Sequence, residues 1–97
     1  MHARVTTIQV QPGRLNDLVQ VLQYSLLPTL TSVAGFQRAL LLNSPEADRC
    51  VTVSLWATEA EMLASEQGGV FQMVRSGLLD ALIATIRVER FEVGLQL

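Results

Sequence analysis

The chain has 97 residues, of which 49% are apolar and only 16% are charged, and its formal net charge is −2 at pH 7. This length predicts one domain over residues 1–97 with a thin core. Such an apolar composition excludes a disordered chain, and the negative charge argues against nucleic acid or an anionic membrane as a partner. With one cysteine, Cys50, and one histidine, His2, we expect neither a disulfide framework nor a bound metal.

The N-terminal residues carry no apolar stretch of the kind that a signal peptide needs. The longest uninterrupted apolar run is far shorter than the roughly 18 residues of a membrane-spanning helix. We therefore expect a cytoplasmic protein with Cys50 reduced and no membrane partner.

A strand and a long helix are predicted for the first third of the chain. Residues 3–11 are β-branched at nearly every second position and end at Pro12-Gly13, which indicates a strand followed by a turn. Apolar residues spaced by three and four over 15–33 indicate one face of an amphipathic helix. Pro28 predicts a kink in that helix, and Gly35 its end.

A hairpin is predicted next. Residues 36–43 form a short apolar run, residues 43–48 favour a turn, and residues 49–57 read as the returning strand. The three segments together indicate two adjacent antiparallel strands.

The last third repeats the pattern of helix and strand. Thr58 and Glu61 have the spacing of a capping box, which predicts a helix from the following residue. Gly68-Gly69 interrupts this helix, and a second segment with apolar residues at helical spacing extends over 71–82. Residues 85–95 predict the final strand.

The order β-α-β-β-α-β is the split βαβ, ferredoxin-like plan of the α+β class, a four-stranded antiparallel sheet with helices on one face. Apolar residues nevertheless occupy both predicted faces of the second strand, with Phe36, Leu40 and Leu42 on one and Ala39 and Leu41 on the other. Helices cover only one face, and the simplest cover for the other is a second copy of the sheet. We predict a homodimer with its sheets packed face to face.

Short motifs also lie in a distinctive order along the chain. They are Pro-Gly-Arg at 12–14, Leu-Pro at 27–28, Ala-Gly-Phe-Gln at 34–37 and Leu-Trp-Ala-Thr-Glu at 55–59. In this order the chain resembles the antibiotic biosynthesis monooxygenase (ABM) family of dimeric α+β barrel proteins. The resemblance implies the ferredoxin-like fold, a homodimer whose two sheets form a barrel, and a pocket in each subunit between helices and sheet.

One branch of that family opens haem, using an asparagine on the first strand and a tryptophan and a histidine on the second helix. The matching positions fall near Thr6, Ser65 and Arg75, and none carries the required residue. The sole histidine is N-terminal, and neither Tyr24 nor Cys50 is expected to replace it as an iron ligand. We therefore disfavour haem degradation and expect no cofactor.

Other members of the resembled family oxidise aromatic polyketides without a cofactor, and others have no known activity. Cofactor-free oxygenation needs a dry pocket, a substrate that supplies electrons as a phenol or enol, and a donor for the developing anion. The candidates that could line such a pocket are Tyr24, Asn43, Trp56, Met62, Phe71 and Arg75.

Arg75 and Tyr24 are the catalytic candidates, because an arginine is always charged and a tyrosine can donate a hydrogen bond. Each candidate also has an ordinary structural role, since arginines and tyrosine hydroxyls commonly face water. Two hypotheses therefore stay open: a cofactor-independent monooxygenase acting on a small apolar or aromatic ligand, and a non-catalytic ligand-binding or accessory homodimer.

Overall fold

A four-stranded antiparallel sheet forms one layer of the protein. The computed structural model describes residues 1–97, with strands β1 (His2–Val10), β2 (Phe36–Ser44), β3 (Arg49–Trp56) and β4 (Ile83–Glu92). Their spatial order is β2-β3-β1-β4, and every adjacent pair is antiparallel. The predicted α+β, ferredoxin-like fold is confirmed.

The first helical region changes type along its length. It consists of α1 (Leu15–Val21), a π-helical segment (Leu22–Leu26) and α2 (Leu27–Leu30). Pro28 lies in the first turn of α2, and because its nitrogen carries no hydrogen it cannot donate to a carbonyl of the preceding turn. The predicted kink near Pro28 is therefore realised as a wider π-helical turn immediately before it.

The second helical region is shorter than the sequence predicts. It contains α3 (Glu59–Ala64), a 3₁₀ turn (Ser65–Gln67) and α4 (Gly69–Arg75). The predicted continuation to residue 82 is wrong, because Gly77 adopts a left-handed φ of 81° and ends the helix. The predicted capping residue is confirmed, since the Thr58 hydroxyl accepts the Glu61 amide at 3.1 Å.

The core lies between the helices and one face of the sheet. Even-numbered residues of β1 point toward the helices, and β3 pairs with them so that its own even-numbered residues share that face. The buried cluster consists of Ile8, Val10, Leu15, Leu18, Leu22, Cys50, Leu79 and Leu82. None of the helices has the length and apolar character that crossing a membrane would require.

The other face of the sheet carries exposed apolar residues. Leu40, Leu42 and Phe91 are each about half exposed. Phe36 does not join them, contrary to the prediction, because the pairing register of β2 shifts between residues 36 and 38. Its ring instead packs edge-on against Trp56. We refer to the surface that includes Leu40, Leu42 and Phe91 as the open face.

Candidate functional site

A cavity lies between the helix-facing side of the sheet and the two helical regions. The volume of the cavity is about 50 Å³. Its lining residues are Arg4, Thr6, Ile8, Leu22, Leu26, Leu27, Thr29, Leu30, Ala39, Thr52, Val53, Ser54, Ser65, Gly68, Gly69, Val70 and Phe71.

The sheet gives this cavity a polar floor. Arg4 pairs with Ser54 across β1 and β3, and Thr6 pairs with Thr52, so the four side chains form adjacent rows on the helix-facing side. Arg4, Thr6 and Ser54 are buried although their side chains are polar. Buried polar groups are costly unless they find partners, so this row is where the cavity can recognise a polar ligand group.

The helical regions give the cavity an apolar wall. The π-helical segment and α2 contribute Leu22, Leu26, Leu27 and Leu30, and α4 contributes Val70 and Phe71. An apolar enclosure with a few polar groups on one side is the usual composition of a small-molecule site.

Arg4 is the central polar side chain of the floor. Only 5% of the residue is exposed. Its guanidinium carbon lies 5.2 Å from the centre of the Trp56 ring and 4.8 Å from that of Phe71. Contacts of this kind attract a cation to an aromatic face, and the two rings hold the guanidinium at the edge of the cavity.

The hydrogen bonds of Arg4 all come from one nitrogen. Nη1 donates to the carbonyl oxygen of Met62 at 3.0 Å, to Oγ of Ser65 at 2.7 Å and to Oε2 of Glu66 at 3.4 Å. Nε and Nη2 have no protein partner. The single fully enclosed side-chain polar atom without a partner is Nδ1 of His2, so these two nitrogens of Arg4 contact accessible space.

Glu66 forms its main ion pair with a second arginine, Arg90. Arg90 donates from Nε to Oε2 of Glu66 at 2.9 Å and from Nη2 to Oε1, a bidentate pair. These Arg90 hydrogen bonds are the main cause that lowers the pKa of Glu66, with Arg4 adding to the effect. Burial lowers the pKa of Arg4, which still remains charged at neutral pH.

Three of the six predicted pocket residues lie at the cavity or directly beside it. Phe71 is part of the lining. Trp56 and Met62 are fully buried behind Arg4, where the Trp56 ring stacks on the guanidinium and the Met62 carbonyl accepts from it. The indole Nε1–H of Trp56 donates to Oγ of Ser54 at 2.9 Å, so Trp56 also fixes a floor residue.

The other three predicted residues lie outside the lining. Tyr24 is 73% exposed, and Asn43 is exposed near the end of β2. Arg75 is exposed, and its guanidinium donates to the carbonyl oxygens of Glu66 and Gln67, each at 3.0 Å. Arg75 thereby tethers the segment that leads into the cavity wall at Gly68.

Arg4 is the residue that sequence reasoning missed. A charged residue near the start of a strand ordinarily faces water, so the residue type alone does not indicate a buried site. The sequence does indicate that Arg4 faces the core, because it stands at an even-numbered position of the first strand together with the apolar residues Ile8 and Val10.

Known proteins resemble this chain in sequence and in structure. The ABM family, described as antibiotic biosynthesis monooxygenase, matches residues 1–76. An uncharacterised protein of Mycobacterium tuberculosis is 28% identical over 95 residues, which are 98% of this chain and 39% of that protein. The chain thus spans well under half the length of this relative.

Two solved structures share the fold at low sequence identity. A protein of unknown function from Nitrosomonas europaea superposes with a TM-score of 0.83 at 18% identity, covering 98% of this chain and 90% of that one. A cofactor-independent oxygenase from Streptomyces nogalater superposes with a TM-score of 0.78 at 20% identity, covering 99% and 95%. Because the family match covers most of the sequence and the fold agrees, this chain belongs to the antibiotic biosynthesis monooxygenase family.

Proposed function

We propose that the chain binds a small, largely apolar aromatic molecule in the cavity between sheet and helices and oxygenates it without a cofactor. One observation carries the proposal: an apolar cavity wall faces a buried polar floor that contains a charged arginine. The likeness to a cofactor-independent oxygenase is in fold, and it is compatible with this chemistry without assigning it.

The proposed chemistry draws its electrons from the substrate. An ionised phenol or enol gives an electron to O₂, and the resulting radicals combine to a hydroperoxide that loses water. The balance is one O₂ consumed and one water released for each C–H converted to C=O. The Arg4 guanidinium and the Thr6 and Ser54 hydroxyls would hold the ionised substrate oxygen, because donors fixed in a dry site stabilise an anion strongly.

The cavity lining holds no residue that could act as a general base. Its only ionisable side chain is that of Arg4, which does not give up its proton. The substrate would therefore have to arrive ionised or ionise beside Arg4. The same observation favours a second candidate function, non-catalytic binding of the same class of ligand, since binding needs no base.

Ligand entry would require the cavity wall to move. A space of about 50 Å³ is only a few times the roughly 10–15 Å³ that a cavity needs to hold one water molecule, which is too little for a polycyclic molecule. The break in the second helical region at Gly68 and Gly69 lies in the wall itself. We place the moving segment at these two glycines. Arg75 would act as a positioning residue, because its hydrogen bonds hold the residues just before Gly68.

The proposal also includes a homodimer and a cytoplasmic location. Leu40, Leu42 and Phe91 expose apolar surface on the open face, and a second copy of the sheet would cover it. Packing of two such sheets would leave the cavity of each subunit on the outer, helical side.

The experiment that tests the function combines oxygen uptake with native mass spectrometry. We expect an electron-rich phenol such as 1-naphthol to drive O₂ consumption and quinone formation. The reaction should be lost in Arg4→Gln and retained in Arg14→Gln, a charge-matched control whose arginine pairs with Asp17 at the surface.

The two candidate functions give different results. A retained ligand at one per subunit with no oxygen uptake would establish the binding function and refute oxygenation. If no ligand is retained and no oxygen is consumed, both candidates are wrong. Arg75→Ala should slow the reaction less than Arg4→Gln does, since Arg75 acts through the wall segment.

A further inference from the structure

We infer that the ligand of the cavity carries a carboxylate and that Arg4 binds this carboxylate through Nε and Nη2. The inference rests on the proposed function in one respect, which is that the cavity takes a ligand. It adds the chemical class of that ligand, a small aromatic carboxylic acid, and the edge of the side chain that recognises it.

The charge balance beside the cavity leaves a positive surplus. Arg4, Glu66 and Arg90 form one ion-pair cluster, and two guanidinium groups face a single carboxylate. Arg90 engages both oxygens of Glu66, whereas Arg4 reaches one of them at 3.4 Å. Arg4 is the more deeply buried of the two arginines and has the weaker pairing, so its charge is the one left under-compensated.

The free edge of Arg4 has the shape that a carboxylate fits. Nε–H and Nη2–H point in the same direction from a planar guanidinium, and two parallel N–H groups can bind both oxygens of a carboxylate. The protein uses only Nη1, on the other side of the group. The Trp56 and Phe71 rings fix the plane of the guanidinium, so the free edge is already oriented before a ligand arrives.

The neighbouring floor residue supplies a second, independent polar group. Thr6 is buried beside Arg4 in β1, and its hydroxyl forms no hydrogen bond with another side chain or with the backbone, although it lies in the cavity lining. A hydroxyl can donate to a carboxylate oxygen or to a ring substituent beside it. No acidic residue belongs to the lining to compete with the ligand for these donors.

This assignment changes one role in the proposed chemistry, because the Arg4 guanidinium then binds the carboxylate and no longer the ionised ring oxygen. With the carboxylate on Arg4, the Thr6 and Ser54 hydroxyls remain for a ring hydroxyl on the same ligand. The apolar wall formed by Leu26, Leu27 and Phe71 would cover the ring. A hydroxylated aromatic acid would therefore engage Arg4, Thr6 and Ser54 at once.

Binding of 4-fluorobenzoate and of its neutral isostere 4-fluorobenzamide, followed by ¹⁹F NMR at neutral pH, tests the inference on the whole chain. The two probes have nearly the same shape, and only the first is an anion. We expect the benzoate to bind about tenfold more tightly, because hydrogen bonds to charged groups are roughly twice as strong as neutral ones. Backbone amide shifts should place both probes at Thr6 and Phe71.

Variants of Arg4 separate recognition from a structural effect. Arg4→Gln should reduce the preference for benzoate to about one, and Arg4→Lys should keep part of it, since the charge remains without the paired N–H groups. Arg14→Gln, which removes an exposed arginine of equal charge, should leave the preference unchanged. If Arg4→Gln does not fold, the comparison of the two probes on the unmodified chain still decides.

Each remaining outcome is informative. Equal binding of the two probes at Thr6 and Phe71 would overturn the carboxylate assignment and leave the proposed ligand site standing. A preference that survives in a folded Arg4→Gln variant would overturn the role of Arg4. Absence of binding by either probe would refute this inference. Oxygen uptake with phenols that carry no carboxylate would in that case still support the proposed function.

Discussion

Replacing Glu66 by glutamine tests whether the ion-pair cluster holds Arg4 in place. Only 13% of the Glu66 side chain is exposed, and it is the sole carboxylate that Arg4 contacts. Glu66→Gln removes the negative charge and leaves a buried guanidinium without a counterion. Removing one partner of a buried ion pair ordinarily destabilises a protein by roughly 3–5 kcal/mol.

The expected loss is smaller here for three reasons. Arg90 is 43% exposed and can be hydrated when its partner is lost. Arg4 keeps its hydrogen bonds to Met62 and Ser65. The glutamine oxygen can still accept one hydrogen bond. We expect the free energy of unfolding to fall by about 2 kcal/mol at pH 7, and the melting temperature to fall by about 8–16 °C for a domain of this size.

The pH dependence supplies the sharper test. The pKa of Glu66 lies below its ordinary value of 4.5 in the folded state, mainly because of the Arg90 hydrogen bonds. A group whose pKa is lowered on folding stabilises the protein above its unfolded pKa, and this contribution is lost as the pH falls through its folded pKa. Protonated Glu66 resembles glutamine, so the difference between the two proteins should shrink toward zero as the pH falls through the lowered, folded-state pKa of Glu66.

The assay is urea unfolding followed by the fluorescence of Trp56, the only tryptophan, which is fully buried. Glu46→Gln provides a charge-matched control at an exposed position. A loss at pH 7 of less than about 0.5 kcal/mol, the usual range of surface substitutions, would refute the argument. An equal loss at neutral and acid pH would show that packing, and not charge, explains the effect.

Three further predictions concern other parts of the fold. Gly35→Ala should lower the free energy of unfolding by more than about 1 kcal/mol, because Gly35 has a φ of 83° and an added Cβ would lie 2.6 Å from Cβ of Glu61. The control is Gly94→Ala, where the added Cβ meets nothing, and an equal loss in the two variants would contradict this prediction. Cys50 should resist iodoacetamide at neutral pH until urea unfolds the chain, since burial raises its pKa to about 11; fast labelling of the native protein would show the thiol to be accessible. Leu40→Glu combined with Leu42→Glu should convert the proposed homodimer to a monomer in light scattering, and a mass that the substitutions leave unchanged would exclude the open face as the interface.

Most of the fold could be predicted from the sequence, because strands and helices are indicated by patterns among neighbouring residues. Apolar residues at every second position indicate the four strands, and apolar residues three or four positions apart indicate both helical regions. Thr58 marks the start of α3. The errors arose where one residue alters the geometry without altering the pattern. Gly77 ended a helix whose apolar spacing continued, and the register shift after Phe36 moved its ring to the helix side.

The site was harder to predict because it depends on contacts between distant segments. Phe71, Trp56 and Met62 are the apolar and aromatic candidates, and the fold brings all three to the cavity or to Arg4. Arg75 and Tyr24 are the catalytic candidates by the chemistry of their side chains, and both lie at the surface. The chemistry of a side chain indicates what it can do, whereas its odd or even position in a strand indicates which face of the sheet it occupies. Predicting Arg4 as a site residue requires both kinds of information.

The contacts of Arg4 join residues 58 to 62 positions apart in the sequence. Closing so long a segment is entropically unfavourable until β1 is inserted between β3 and β4. The charged end of the cavity therefore exists only in the complete fold and is absent from any partly folded form that lacks the central strand. A ligand bound there would stabilise the folded state, because it binds only when the two halves of the chain are packed together. Amide hydrogen exchange in the middle of β1 would therefore slow as the occupancy of the ligand site rises.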